Sequence, residues 1–169
     1  MAADGSVRLT FRTLGHGSER MHAALRPGLP ATVTGPYGMF DHTLGGPRQI
    51  WIAGGIGIAP FLGWLTTPAP PVPAHVDLFY CTPAETDAVF LPELNAAAEH
   101  RPGLTVHPVH SRLHGRLTAD RVTTLAGQLH PGTHVFLCGP TPMVHTLTRD
   151  LRRLGLPHDH VHSEHFAFR

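Results

Sequence analysis

The chain has 169 residues, of which 41% are hydrophobic, with two cysteines and a formal net charge of +1. That is apolar material for one packed domain and a fragment of a second. The near-neutral charge argues against nucleic acid as a partner, and two cysteines are too few for a disulfide framework or a cysteine metal site. No apolar run reaches the ~18 residues of a membrane span and no basic leader opens the chain, so the expected location is the cytoplasm.

Residues 6–14 alternate apolar and polar side chains, which predicts a half-buried strand. Gly15-His16-Gly17 turns the chain, and Ser18 is placed to cap a short helix over 19–26 that ends at Pro27-Gly28. A second strand is expected at 31–34, running into the turn Gly35-Pro36-Tyr37-Gly38. Two strands and one helix cannot bury a core. Residues 1–45 therefore read as the end of a β domain whose beginning is missing.

From residue 49 strands alternate with helices. Strands are expected at 49–53, 76–81, 104–109, 134–138 and 159–162, and helices at 59–65, 91–100, 118–128 and 143–154. Thr118 and Thr141 are the candidate caps of the last two helices, and residues 66–74 form a proline-rich link. This alternation predicts an α/β fold over residues 46–169, a doubly wound five-stranded parallel sheet.

The first of these strands enters Gly54-Gly55-Ile56-Gly57 and then a helix with Pro60 in its first turn. Such a turn lets a phosphate approach the main chain at a helix start, although a glycine turn that serves only tight packing is the alternative. In an open parallel sheet the ligand lies beyond the carboxyl ends of the strands, so the loops at 54–57, 81–86, 110–116 and 138–141 matter most. An NAD site would place an acidic residue after the second strand, where Cys81-Thr82 stands instead. After the third strand, Ser111, Arg112 and Arg116 offer a hydroxyl and two guanidinium groups. These suit the 2′-phosphate of NADPH better than the free ribose of NADH, which stays possible; the alternative is a solvated basic loop.

His158, His160 and His162 alternate on an expected strand. In a chain with 15 histidines, and with no carboxylate or cysteine to complete a shell, no metal site is expected. Ser163-Glu164-His165 holds the residue types of a triad, but strand neighbours point to opposite faces.

Gly35-Pro36-Tyr37-Gly38, Gly54-Gly55-Ile56-Gly57-Ile58-Ala59-Pro60, Ser111-Arg112, Cys138-Gly139-Pro140-Thr141-Pro142-Met143 and Glu164-His165-Phe166 follow one another as in the ferredoxin-NADP reductase superfamily. The chain most resembles its ferric reductase and NADPH-oxidase-like branch. The resemblance implies a C-terminal NAD(P)-binding domain preceded by the remnant of an antiparallel flavin-binding β-barrel. It implies that Gly54, Gly55 and Gly57, with Pro60, Gly139, Pro140 and Met143, surround the dinucleotide. Ser111 and Arg112, assisted by Arg116, would hold the 2′-phosphate. Cys138 and Glu164 would flank the nicotinamide, and Phe166 would cover the flavin ring. Gly17, Ser18 and Tyr37 would lie on the FAD side.

The implied activity is hydride transfer from NADPH to FAD, with electrons passed singly to a haem, iron-sulfur centre, ferric iron or another acceptor. The family's Arg-x-Tyr-Ser flavin motif is absent, so FAD would be held weakly or shared with a missing segment. Any membrane attachment would come only through a missing N-terminal domain. Two alternatives remain: a nucleotide-binding module without catalysis, and the reductase component of an oxygenase.

Overall fold

A computed structural model describes residues 6–11, 13, 15–35, 38–67 and 71–165. The chain divides into two compact units, Met1–Met39 and Phe40–Arg169. In the first unit the described residues form one helix, α1 (Gly15–Ala24), none of whose residues is buried. The strands expected at 6–14 and 31–34 are not formed among the described residues. Alternating side chains prepare a face for a sheet, but a strand exists only where a neighbour completes its ladder. Ser18 is not the cap expected of it: α1 begins three residues earlier, and the Ser18 hydroxyl donates to the Gly15 carbonyl at 3.1 Å.

The second unit contains β1 (Arg48–Gly54), α2 (Ala59–Thr66), β2 (His75–Thr82), α3 (Leu91–Glu99), β3 (Leu104–His110), α4 (Ser111–His114), α5 (Ala119–Ala126), β4 (His134–Gly139), α6 (Thr141–Arg153) and β5 (Val161–His165). The strands form one sheet in the order β3-β2-β1-β4-β5, and every pairing is parallel. β1 lies at the centre and is buried throughout after Arg48. Its sequence reads as an unbroken apolar run because both of its faces are covered.

Ile50, Ile52, Phe79, Val135 and Leu137 pack on one side with Val122 of α5 and Val144, Leu147 and Leu151 of α6. Trp51, Ala53, Leu78, Tyr80 and Phe136 pack on the other with Phe61 and Leu65 of α2 and Leu94 of α3. Each large side chain so buried contributes about 1.5–3 kcal/mol. The buried Gln49 side chain is satisfied beneath them: its amide donates to the His42 carbonyl at 2.7 Å and accepts from the Trp51 indole at 2.8 Å.

Two helix starts differ in mechanism. Thr118 caps α5 as expected, accepting from the Arg121 N–H at 3.2 Å. α6 has Pro140 at the cap position and no side-chain cap bond, so Thr141 is its first helical residue. The last strand is also displaced from its expected position. Pro157 starts a 3-10 turn, His158–His160, and β5 begins only at Val161. His158, His160 and His162 therefore do not share a strand face. Instead His134 Nδ1 meets His162 Nε2 at 3.0 Å, and the His134 ring stacks on His160 at 4.0 Å. Among the described residues no group of three or more His, Cys, Asp or Glu side chains is placed to hold a metal ion.

Candidate functional site

The sheet brings the carboxyl ends of all five strands to one edge. Gly54 lies beside Cys81, Thr82 beside His110, Ala53 beside Cys138, and Cys138 beside Glu164. β1 leads to α2 on one face while its neighbour β4 leads to α6 on the other. In open parallel sheets the ligand usually lies in the crevice outside the strand ends where successive connections leave on opposite faces.

Close packing of main chain shapes the sheet edge between β1 and β4. A Cβ on Gly54 would lie 2.7 Å from Pro140 Cδ and from Met143 Cε, and one on Gly57 would collide with the Cys138 carbonyl. Gly139, in turn, leaves a Cβ only 2.8 Å from Met143 Cε. Gly54, Gly57, Gly139, Pro140 and Met143 thus hold the two loops together. Gly55 differs: its φ is +55°, and a Cβ there would meet nothing within 4 Å. It starts a 3-10 turn, Gly55–Ile58, that continues into α2, with Pro60 in the first α-helical turn. Main-chain N–H groups at this start, beneath open space, suit an anionic group.

Cys138 and Glu164 are register partners, so their side chains leave the same face of the sheet. Cys138 is fully buried. Burial first, and the Glu164 carboxylate second, push its thiol up to about 12. It is a neutral thiol at physiological pH, a compact contact rather than a nucleophile. Phe166 and Tyr37 lie outside the described residues. Gly17 and Ser18 lie in α1, in the first unit.

Beyond β2 and β3 lies a cleft of about 300 Å³ lined by Pro83, Ala84, Glu85, His110, Arg112 and Leu113. α4 carries Ser111 and Arg112, both exposed, and the Arg112 N–H donates to the Pro83 carbonyl at 3.0 Å. Arg116 is also exposed but does not line the cleft. Arg121 of α5 steadies α4 by donating to the His114 carbonyl at 3.2 Å.

Sequence reasoning assigned no role to Thr82, Glu85 or His110. Thr82 and His110 end adjacent strands and are buried, joined by an Oγ1–Nδ1 contact of 2.9 Å. Polar residues ending two neighbouring strands were the available signal, but their pairing needs the register. A larger hollow of about 510 Å³ lies between α6 and β5, lined by His145, Thr148, Arg149, Arg152 and Ser163. Because α6 runs back from the carboxyl edge of the sheet, Arg152 near its end lies away from the crevice.

Residues 51–149 match the family model described as the oxidoreductase NAD-binding domain, a span that includes the glycine turn, the Arg112 cleft and the Cys138-Gly139-Pro140 motif. The chain belongs to this family.

The carnitine monooxygenase reductase subunit of Escherichia coli (strain K12) is 33% identical to this chain over 164 residues, covering 96% of the chain and 48% of the relative. NADH-cytochrome b5 reductase 1 of Candida albicans is 30% identical, covering 89% of the chain and 55% of the relative. The cytochrome b5 reductase domain of Ulva prolifera nitrate reductase superposes with a TM-score of 0.74 at 26% identity, covering 89% of the chain and 64% of that structure. The chain spans about half the length of the two relatives compared by sequence. They are a monooxygenase reductase subunit and a cytochrome b5 reductase rather than ferric reductases. No helix among the described residues is long and apolar enough to cross a membrane.

Proposed function

We propose that this NAD-binding domain holds the nicotinamide dinucleotide of a flavin-dependent reductase. The observation that carries the reading is one sheet edge bearing both the Gly55 helix start and the Arg112 cleft. Gly55 and the following N–H groups receive the pyrophosphate in the crevice, with Pro60 fixing the first helical turn. Ser111 and Arg112, with Arg116 nearby, take the adenosine end, and the planar fork of Arg112 favours the 2′-phosphate of NADPH over the hydroxyl of NADH.

At the other end Cys138 and Glu164 border the nicotinamide, excluding water and fixing its distance from the flavin. When bound, the two cofactors supply hydride transfer followed by release of single electrons. Residues 1–45 belong to the flavin domain in this reading, with Gly17, Ser18 and Tyr37 toward FAD and Phe166 against its ring. The electron acceptor is an oxygenase component, as the names of the relatives suggest, or a haem or other iron centre.

Calorimetric titration with NADPH and NADH tests the reading. The wild-type chain should bind NADPH more tightly. Arg112→Ala should weaken NADPH about tenfold through loss of charge-assisted hydrogen bonds while changing NADH less than about twofold. Equal losses for both nucleotides would remove the phosphate-reading role, and a wild-type chain that binds neither would remove the proposed function.

A further inference from the structure

Two loops frame the cleft that holds Arg112, one after β2 and one after β3, and each is tied to the other through buried polar groups. The Thr82 hydroxyl donates to the Ala84 carbonyl at 2.9 Å, within its own loop. That bond uses the only hydroxyl proton, so the 2.9 Å contact between Thr82 Oγ1 and His110 Nδ1 must have the imidazole as donor. The tautomer of His110 follows, with the proton on Nδ1. His110 is 8% exposed, lines the cleft, and is the residue immediately before α4. Its own main-chain N–H donates to His114 Nδ1 at 3.3 Å, closing α4 back on the strand end. One imidazole thus joins the β2 loop to the short helix that presents Ser111 and Arg112.

We propose that His110 is a positioning residue for nucleotide selection: its Nδ1–H bond to Thr82 holds α4 at the height at which Arg112 meets the nucleotide's ribose substituent. The proposal rests on the nucleotide-binding reading above. α4 has four residues and no buried side chain of its own. Among the described residues the ties that hold it include the Arg112 N–H to Pro83 carbonyl bond, the Arg121 bond to the His114 carbonyl, the His110 N–H bond to His114 Nδ1 and the His110 lock. With the lock removed, Arg112 remains present and charged, but a longer range of loop positions is open to it. The cost falls on the group that needs a fixed guanidinium fork, the 2′-phosphate, more than on a ribose hydroxyl.

The test uses calorimetry on the whole chain with NADPH and NADH, alongside a thermal melt of each variant. His110→Ala and Thr82→Val should each weaken NADPH by about tenfold and NADH by at most about threefold, a change in the ratio of the two affinities. His110→Asn, whose amide N–H takes the place of Nδ1–H, should restore most of the wild-type ratio, whereas His110→Gln, which places its amide nearer to Nε2, should not. A double variant of Thr82→Val and His110→Ala should lose less than the sum of the two single changes, because both remove the Thr82–His110 bond. An unchanged ratio in His110→Ala, losses equal for the two nucleotides, or rescue by Gln but not Asn would overturn the positioning role while leaving the nucleotide site standing. A wild-type chain that binds neither nucleotide would overturn the function and the positioning role together.

Discussion

A methyl group on Gly57 would run into the Cys138 carbonyl and come within 2.9 Å of Gly139 Cα. Those atoms belong to the main chain of a central strand and cannot rotate aside, so one loop must move. Gly57→Ala should therefore destabilise the fold by at least ~2 kcal/mol, read as a lowered midpoint in urea unfolding. Gly55→Ala is the informative contrast. Its left-handed φ costs a β-carbon about 1–2 kcal/mol, but the space around it is open. It should lose less stability than Gly57→Ala, and a greater loss at Gly55 would contradict the assignment of Gly57 to packing. The sequence presents these as similar glycines of one turn. Their difference lies in what faces them, which no local pattern encodes.

At the level of the elements, local chemistry determines some boundaries and neighbours determine others. The Thr118 cap was legible because a hydroxyl acts on N–H groups three residues away, within its own segment. Thr118→Ala should cost about 1 kcal/mol, measured as a shift in the chemical unfolding midpoint with an unchanged slope. α2 was legible for the same reason: glycines, then Pro60, then an apolar run ending at a proline-rich link. The strands expected at 6–14 and 31–34 depended on partners, and among the described residues they are not formed. β5 was misplaced because the alternation of His158, His160 and His162 imitates a strand, while Pro157 commits the chain to a 3-10 turn: the His160 N–H donates to the Pro157 carbonyl at 3.2 Å.

Across the whole molecule, the sheet gathers three imidazoles, from β4, β5 and the turn before β5, at the end opposite the crevice. Burial first, then repulsion by His160 and, for His134, by His162 as well, lowers the affinity of His134 and His162 for protons, with Asp159 partly opposing. Both groups have folded-state values depressed below 6.5. The stability they confer is thus present above about pH 6.5, where the unfolded chain begins to take up protons, and is lost as pH falls through the lower folded-state values. The thermal midpoint should drop as pH falls from about 7 to 5. His162→Asn should flatten that dependence, and an unchanged slope in this variant would show that other groups carry it.

The sequence by itself determined the order of strands and helices from residue 49 onward, the place of the glycine turn at a strand end, and the residue types offered to a dinucleotide. These are local consequences of periodicity, capping and backbone freedom. Only the tertiary structure decided that β1 and β4 lie side by side, that Gly57 meets the Cys138 main chain while Gly55 stays open, and that Thr82 and His110 bond across 28 residues. Those facts depend on which strand pairs with which and in what register, a choice made by burying apolar faces from distant segments together rather than by any residue's immediate neighbours.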